Sequence, residues 1–333
     1  MWGPVGCEEV TMDEKKQLSI VIPVYNSADI FPELYQRIAK ATHGRSYDLE
    51  IIAVLDGCKD RSFEVISGLQ QTDMRIRVIE FSRNFGHQAA LSAGLQAASG
   101  DMVAIMDDDL EDPPEILVSM IEKLREGYDV VYGVRRKRQR SLAHRFLYRQ
   151  FYRLLAMLVD TKMPYDAGDF CVMRRKVVDA LNSMPERNIY LRGLRAWSGF
   201  RQVGFDYDRG ARFSSGSGYS LKKYFSLAFD AIFSFSYKPL KFVSRIGLLI
   251  ALASFFFAVR LIVHKLSGKI TEVPGWVSLF VSVLFLSGIQ LIAIGVIGEY
   301  ISRIYDEVKQ RPKYIIQRTV GFGSGHDTPG PRS

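Results

Sequence analysis

The chain is 333 residues long, 47% hydrophobic and 24% charged, which is enough apolar material for a large core and too much for a disordered polymer. Its formal net charge of +8 points to an anionic partner, whether nucleic acid, a phosphorylated substrate or an acidic membrane surface. Cys7, Cys58 and Cys171 lie far apart with no CxxC pair, which argues against a disulfide framework or a zinc site and fits a reducing compartment.

Residues 1–17, MWGPVGCEEVTMDEKKQ, break every apolar run with charge and are expected to form a disordered tail rather than a signal peptide. From Leu18 short apolar runs alternate with helix-length segments: LSIVIPVY, DIFPELYQRIAKAT, DLEIIAVLD, DRSFEVISGLQQ, IRVIEFS, HQAALSAGLQAAS, MVAIMDD, PPEILVSMIEKLREG and DVVYGV. Ile- and Val-rich strands between amphipathic helices predict an α/β fold with βαβ units and a mostly parallel, Rossmann-like sheet. In such a sheet the ligand sits at the carboxyl ends of the strands. Tyr25, Asn26, Asp56, Ser82 to Asn84 and Asp107 to Asp109 are therefore expected to converge on one crevice.

Residues 103–115 read VAIMDDDLEDPPE, with five carboxylates in the six positions 107–112. Carboxylates this close raise each other's pKa unless a cation sits among them. Side chains two apart on a strand share a face, so Asp107 and Asp109 are expected to point together, with Asp108 opposite. Two hard oxygen donors on one face, completed by substrate phosphates, suit Mg²⁺ or Mn²⁺. Asp112, ahead of Pro113 and Pro114, reads as a helix N-cap with proline at the first helical position.

Directly after DVVYGV, residues 135–140 hold five cations in six positions. Arginine binds phosphate in a fork geometry and stays charged; for Lys137, Arg138 and Arg140 a solvated or headgroup-facing run is an equal alternative. His87, in the FGHQ turn, reads as a helix-start contact or a substrate contact. No motif with stacking aromatics supports nucleic acid as the partner.

Residues 219–240 mix aromatics with lysines, as an interfacial helix does. Ile246 to Val263 and Val277 to Ile297 are each long enough to cross a hydrocarbon core of about 30 Å, giving a two-helix transmembrane hairpin within residues 241–300. Arg260 can snorkel to the interface, Gln290 is expected to hydrogen-bond between helices, and Phe255 to Phe257 face lipid. Lysines and arginines flank the hairpin outside its short connector, so the positive-inside rule puts both termini and the large domain in the cytoplasm, with residues 301–333 as a cytoplasmic segment.

Five stretches together, IVIPVYNSADIF, VLDGCKDRS, FSRNFGHQAAL, MDDDLEDPPE and AGDFCVMRR, resemble the family-2 inverting glycosyltransferases of the GT-A fold, in particular the polyprenyl-phosphate glycosyltransferases. The resemblance covers about residues 18 to 315, including the hairpin, and implies a GT-A domain over residues 18–218. It implies that Pro23, Tyr25 and Asn26 line the nucleotide pocket, that Asp56 accepts a hydrogen bond from the base, and that Arg83, Asn84 and Asp108 help hold the donor. Asp107 and Asp109 match the DxD metal pair, with Glu111, where the family most often has glutamine, beside them as a third candidate ligand. Arg135 matches a phosphate-binding position. Arg212, Ser215 and Tyr219 match an acceptor-binding segment, although the usual lysine there is replaced near Gly218. Asp166 and Asp169 match acidic residues beside sugar and acceptor.

These resemblances imply an inner-membrane enzyme that moves a sugar, glucose first among the candidates, from a UDP-linked donor to undecaprenyl or dolichyl phosphate for cell-envelope glycan modification. A homo-oligomer, such as a tetramer, is also implied by the resemblance. Because a phosphate monoester is already nucleophilic at neutral pH, Asp169 is expected to position rather than deprotonate. Two alternatives stay open: a glycosyltransferase with a hydroxyl acceptor, and a non-catalytic membrane-anchored protein that binds an anionic ligand. RGLRAW, residues 192–197, lacks the glutamine of the processive synthases' QxxRW pattern.

Overall fold

The computed structural model describes residues 16–45, 47–135, 167–186, 190–208, 238–267 and 275–323. Strands β1 (Lys16–Val24), β2 (Tyr47–Leu55), β3 (Ile76–Phe81) and β4 (Met102–Ile105) alternate with helices α1 (Phe31–Thr42), α2 (Ser62–Thr72) and α3 (His87–Ala97). A 3-10 turn (Pro114–Ile116), α4 (Leu117–Arg125), β5 (Val130–Arg135), β6 (Ala167–Arg174), α5 (Arg175–Asn182), α6 (Leu191–Trp197) and β7 (Gln202–Tyr207) follow. The chain then runs through the long helices α7 (Lys238–Leu266) and α8 (Trp276–Val308) and ends in β8 (Ile316–Val320).

One sheet contains all the described strands in the order β7-β5-β6-β4-β1-β2-β3-β8. Its centre, β4-β1-β2-β3, is parallel, as the alternating pattern requires. β6 runs antiparallel between β4 and β5, and β8 runs antiparallel along β3, so the sheet is mixed toward both edges. Period-two alternation explains its two-sided burial. Ile20 and Ile22 of β1 pack with Phe31, Leu34 and Ile38 of α1 on one face, while Val21 packs with Leu91 and Leu95 of α3 on the other.

The parallel centre sends the β1–α1, β2–α2 and β3–α3 turns and the acidic stretch to one end of the sheet. Gly57, in the β2–α2 turn, has φ +64°, and a Cβ there would overlap the backbone of Arg83 and Asn84. The two turns thus lie against each other with no room for a side chain.

Two expectations need correction. β4 stops at Ile105, so Asp107 to Asp109 lie in a bend and strand alternation does not set their directions. The 3-10 turn begins with Pro113 at its cap and has no side-chain cap, so Asp112 is not an N-cap. Within the expected C-terminal segment, residues 316–320 form a strand of the domain sheet.

α7 and α8 have 29 and 33 residues. At 1.5 Å per residue they measure about 44 and 50 Å. Each holds a stretch long and apolar enough to cross a membrane, Leu240–Phe257 and Phe285–Val308. Leu249, Phe256, Leu291 and Ile292 point outward, which in water would leave a large apolar surface exposed. Gln290 is exposed as well, rather than held between the two helices as expected. Of the expected interfacial helix, only residues 238–240 are described, and they begin α7.

Gly57→Ala is expected to destabilise the domain by about 2 kcal/mol or more, through left-handed strain plus steric overlap, and to lower the thermal midpoint by several degrees. A calorimetric scan against the parent chain measures it.

Candidate active site

The first wall of the cleft is built from the β1–α1 and β2–α2 turns. Pro23 is buried in β1, and Tyr25 and Asn26 stand exposed just past its end. Asn26 takes the left-handed conformation, φ +55°, which asparagine tolerates better than most residues, and its Oδ1 accepts the Lys59 N–H at 2.8 Å. The Asp60 carboxylate accepts the Ala28 N–H at 3.1 Å and the Ser62 hydroxyl at 2.7 Å. Asp56 is buried and accepts the Phe85 and Gly86 N–H groups at 2.6 and 2.9 Å. Its lone pairs therefore serve the β3–α3 loop in the first instance. In that loop the Arg83 guanidinium lies 3.9 Å from the centre of the Phe85 ring and donates to the Asn84 carbonyl at 2.9 Å.

The acidic bend forms the floor. Asp108 turns back toward β1, accepting the Tyr25 N–H at 3.1 Å and the Ser27 hydroxyl at 2.5 Å. Burial raises its pKa, partly offset by those two bonds. Asp109 Oδ1 accepts the Glu111 N–H at 3.0 Å across the turn. Leu110 between them is buried at φ +59°, a conformation that is costly for a branched side chain and places strain inside the site. Asp107 Oδ1 is buried with no hydrogen-bond donor, as is Asp112 Oδ2 in the same bend. The Asp107 carboxyl is pushed up to about 6, first by burial and then by Asp169, Asp112 and Asp109, with His87 pulling the other way.

The far wall comes from α3, β6 and α6. His87, the first residue of α3, places Nε2 3.6 Å from Asp107 Oδ1 and 3.5 Å from Asp169 Oδ2. Burial lowers the imidazole pKa, but Asp169 and Asp107 outweigh it and the net shift is upward. Arg192 of α6 grips Asp169 with two bonds of 2.7 Å in the fork geometry. Burial alone would raise Asp169; Arg192 and His87 overcome it and hold the carboxyl well below the usual carboxylate range.

A third group sits at the end of β5. Tyr207 donates its hydroxyl hydrogen to Asp112 and accepts a bond from Arg135 Nε at 3.2 Å, while Arg135 Nη2 lies 3.5 Å from Asp112. Burial and then Asp112 push the Tyr207 phenol well up, so it stays protonated and donating. Gly133 makes room for this, since a Cβ there would stand 2.7 Å from the Tyr207 ring.

Of the candidate residues, Pro23 lies near the end of β1, Tyr25, Asn26, Asp56, Arg83 and Asn84 stand on three adjoining turns, and Asp107, Asp108, Asp109, Asp169 and Arg135 share the neighbouring part of the cleft. Glu111 is 1% exposed, and among the described residues no group of three or more acidic, histidine or cysteine side chains is already gathered as a metal cage. Arg212, Ser215, Tyr219, Asp166, Lys137, Arg138 and Arg140 lie outside the described residues.

Ser27, Tyr207 and the pairing of Arg192 were not visible in the sequence, because each acts on a carboxylate 23 to 95 positions away. A serine in a turn, a tyrosine ending a strand and an arginine in a short helix carry no local signal of such partners.

Residues 19–181 match the sequence model of glycosyl transferase family 2. The uncharacterized glycosyltransferase YkcC of Bacillus subtilis (strain 168) is 44% identical over 315 residues, covering 93% of this chain and 96% of that one. The SfII prophage-derived bactoprenol glucosyl transferase of Shigella flexneri is 39% identical over 304 residues, covering 91% and 98%. The prophage bactoprenol glucosyl transferase homolog of Escherichia coli (strain K12) is 38% identical over 303 residues, covering 91% and 99%.

Arg192→Gln is expected to leave Asp169 buried without its main partner, at a cost of about 2 kcal/mol, below the usual range for a buried pair because Arg192 is 37% exposed. The sign with pH follows. In the parent, the depressed Asp169 carboxyl contributes stability at neutral pH that is lost only in strong acid. In the variant, burial holds the carboxyl up and favours its protonated form. The stability gap should therefore be widest at pH 7 to 8 and narrow toward pH 4 to 5, as thermal melts across that range would record.

Proposed function

The chain belongs to glycosyl transferase family 2, and from that premise we propose that it transfers a sugar, with inversion, from a nucleotide-sugar donor to a polyprenyl phosphate. The donor is a UDP-sugar, with glucose as the first sugar to test, and the acceptor is undecaprenyl or dolichyl phosphate. The names of the Shigella and Escherichia relatives support a polyprenyl acceptor and a glucosyl donor.

The observation that carries the acceptor class is Asp169. Its carboxyl is held far below the usual range by Arg192 and His87, which makes it a poor general base. A hydroxyl acceptor needs its proton removed, whereas a phosphate acceptor arrives as a nucleophilic anion. Asp169 with Arg192 then fixes one wall against which donor sugar and acceptor phosphate are aligned.

Asp107 and Asp109 suit a divalent cation, Mg²⁺ or Mn²⁺, because the buried Asp107 Oδ1 lacks any donor and its carboxyl is driven up first by burial and then by the neighbouring carboxylates. Such a cation supplies charge neutralisation for the donor diphosphate and the leaving nucleotide. Two protein carboxylates leave room for diphosphate oxygens. Arg83 and Asn84 hold the diphosphate side, and Pro23, Tyr25, Asn26 and Asp56 the nucleoside. Asp108 acts through structure, fastening the acidic bend to Tyr25 and Ser27. Arg135, oriented by Tyr207 and Asp112, offers its cation to the incoming lipid phosphate, and Arg212 and Ser215 are assigned to the acceptor by their sequence motif alone.

α7 and α8 are taken to cross the inner membrane as a hairpin, with both termini and the sheet domain on the cytoplasmic face, so that the cleft stands near headgroup level where a polyprenyl phosphate presents its charge. The domain then comprises residues 18–218 together with the returning strand β8.

The test incubates the full-length protein with undecaprenyl phosphate, Mg²⁺ and a panel of radiolabelled nucleotide sugars, then counts label extracted into organic solvent with and without EDTA. Metal-dependent lipid label from a UDP-sugar is expected. Asp109→Asn should lower it by about 100-fold or more while the protein stays folded. Nucleotide binding without lipid label would move the reading to a hydroxyl acceptor; no nucleotide binding would leave an anchored anion-binding protein.

A further inference from the structure

The strand that closes the sheet next to β3 is reached only after α8, through residues 309–315. Three contacts join this connection to the β3–α3 loop. The Ile315 carbonyl accepts the Ser82 N–H at 3.0 Å, at the first position of the loop. Tyr314 is buried, and its ring stacks on Phe81 with centroids 4.9 Å apart and planes 11° apart. Phe81 in turn meets Phe85 edge-on at 5.8 Å, and Phe85 carries the Arg83 guanidinium on its face. The Tyr314 hydroxyl also donates to Gln96 Oε1 on α3, the helix whose first residue is His87.

Tyr314 therefore touches both supports of the loop, the strand that enters it and the helix that leaves it. Asp56 holds the same loop from the opposite side through the Phe85 and Gly86 N–H groups. Aromatic pairs of this geometry contribute beyond simple burial. The short loop 82–86 is thus fixed between a carboxylate from β2 and an aromatic from beyond α8.

We infer that Tyr314 is a positioning residue for donor binding: by bracing Phe81 and α3 it sets where Arg83 and the start of α3 stand, so that affinity for a nucleoside diphosphate depends on the chain segment that follows the second apolar helix. This rests on the donor reading of residues 82–86. It makes the hairpin and the donor site mechanically continuous, since α8 leads directly into residues 309–315.

The experiment uses the full-length protein and measures the Kd for UDP by calorimetry, together with the KM for UDP-glucose, the KM for undecaprenyl phosphate, kcat and the thermal midpoint. Tyr314→Leu is expected to raise the UDP Kd and the donor KM by about 5- to 10-fold, with acceptor KM and kcat changed less than about 2-fold. Tyr314→Phe, which loses only the Gln96 bond, should raise the UDP Kd by about 2- to 3-fold, and Gln96→Leu should do the same without adding to it.

A Tyr314→Leu protein with unchanged donor Kd, or with donor KM, acceptor KM and kcat all shifted together, overturns the inference. If Tyr314→Leu does not fold, the Tyr314→Phe and Gln96→Leu pair decides: a shared, non-additive loss of UDP affinity supports the brace, and additive or absent effects overturn it. A parent protein that binds no UDP overturns the donor reading itself, whereas a UDP affinity that is normal in parent and variants alike overturns only the brace.

Discussion

Negative charge crowded at one end of the sheet is the constraint on which the rest of the site depends. Asp56, Asp107, Asp108, Asp109, Asp112 and Asp169 occupy one region of restricted solvent access, and each buried carboxylate must be compensated or protonated. The compensation differs at each. Two loop N–H groups hold Asp56, Tyr25 and Ser27 hold Asp108, Tyr207 and Arg135 hold Asp112, and Arg192 with His87 holds Asp169. Asp107 keeps a buried oxygen with no donor. Asp112 Oδ2 is likewise buried without a donor, so the unmet demand for positive charge lies along the acidic bend.

The scaffold permits this crowding because its own requirements are met elsewhere. Parallel strands β1 to β4 bury apolar side chains on both faces, and the carboxylates of the cleft lie past the strand ends, where backbone N–H groups of turns are available as donors. Close approach has its own cost. Gly57 must lack a side chain, and Leu110 must take a left-handed conformation to carry the bend back under the cleft. Such strain persists only where surrounding contacts over-determine it.

The hairpin is less separate from this chemistry than its composition implies. α7 and α8 present apolar side chains outward, yet the chain returns from α8 into the sheet, and its first returning residues pack on the loop that follows β3. The backbone ladder along β3 and the Arg318 to Glu80 ion pair hold the chain that follows α8 within the domain sheet.

The sequence by itself determined the period of each element: the strand and helix alternation from Leu18 to Val134, the two long apolar stretches, and the concentration of chemistry at DGC, SRNFG and DDD all follow from local patterning, which depends on neighbours a few positions apart. It could not say which partner each charge would meet. Asp112 carries the local signature of a helix cap and instead receives the hydroxyl of Tyr207, 95 positions later. β4 ends before the acidic run because the Met106 N–H makes a last bond to Val21 and the chain then bends. The pairing of Arg192 with Asp169 and the return of β8 beside β3 are likewise settled by strand order. Tertiary structure decided these because compensating a buried charge is a contact between elements, and the order of strands in the sheet, not their spacing in the chain, brings those elements together.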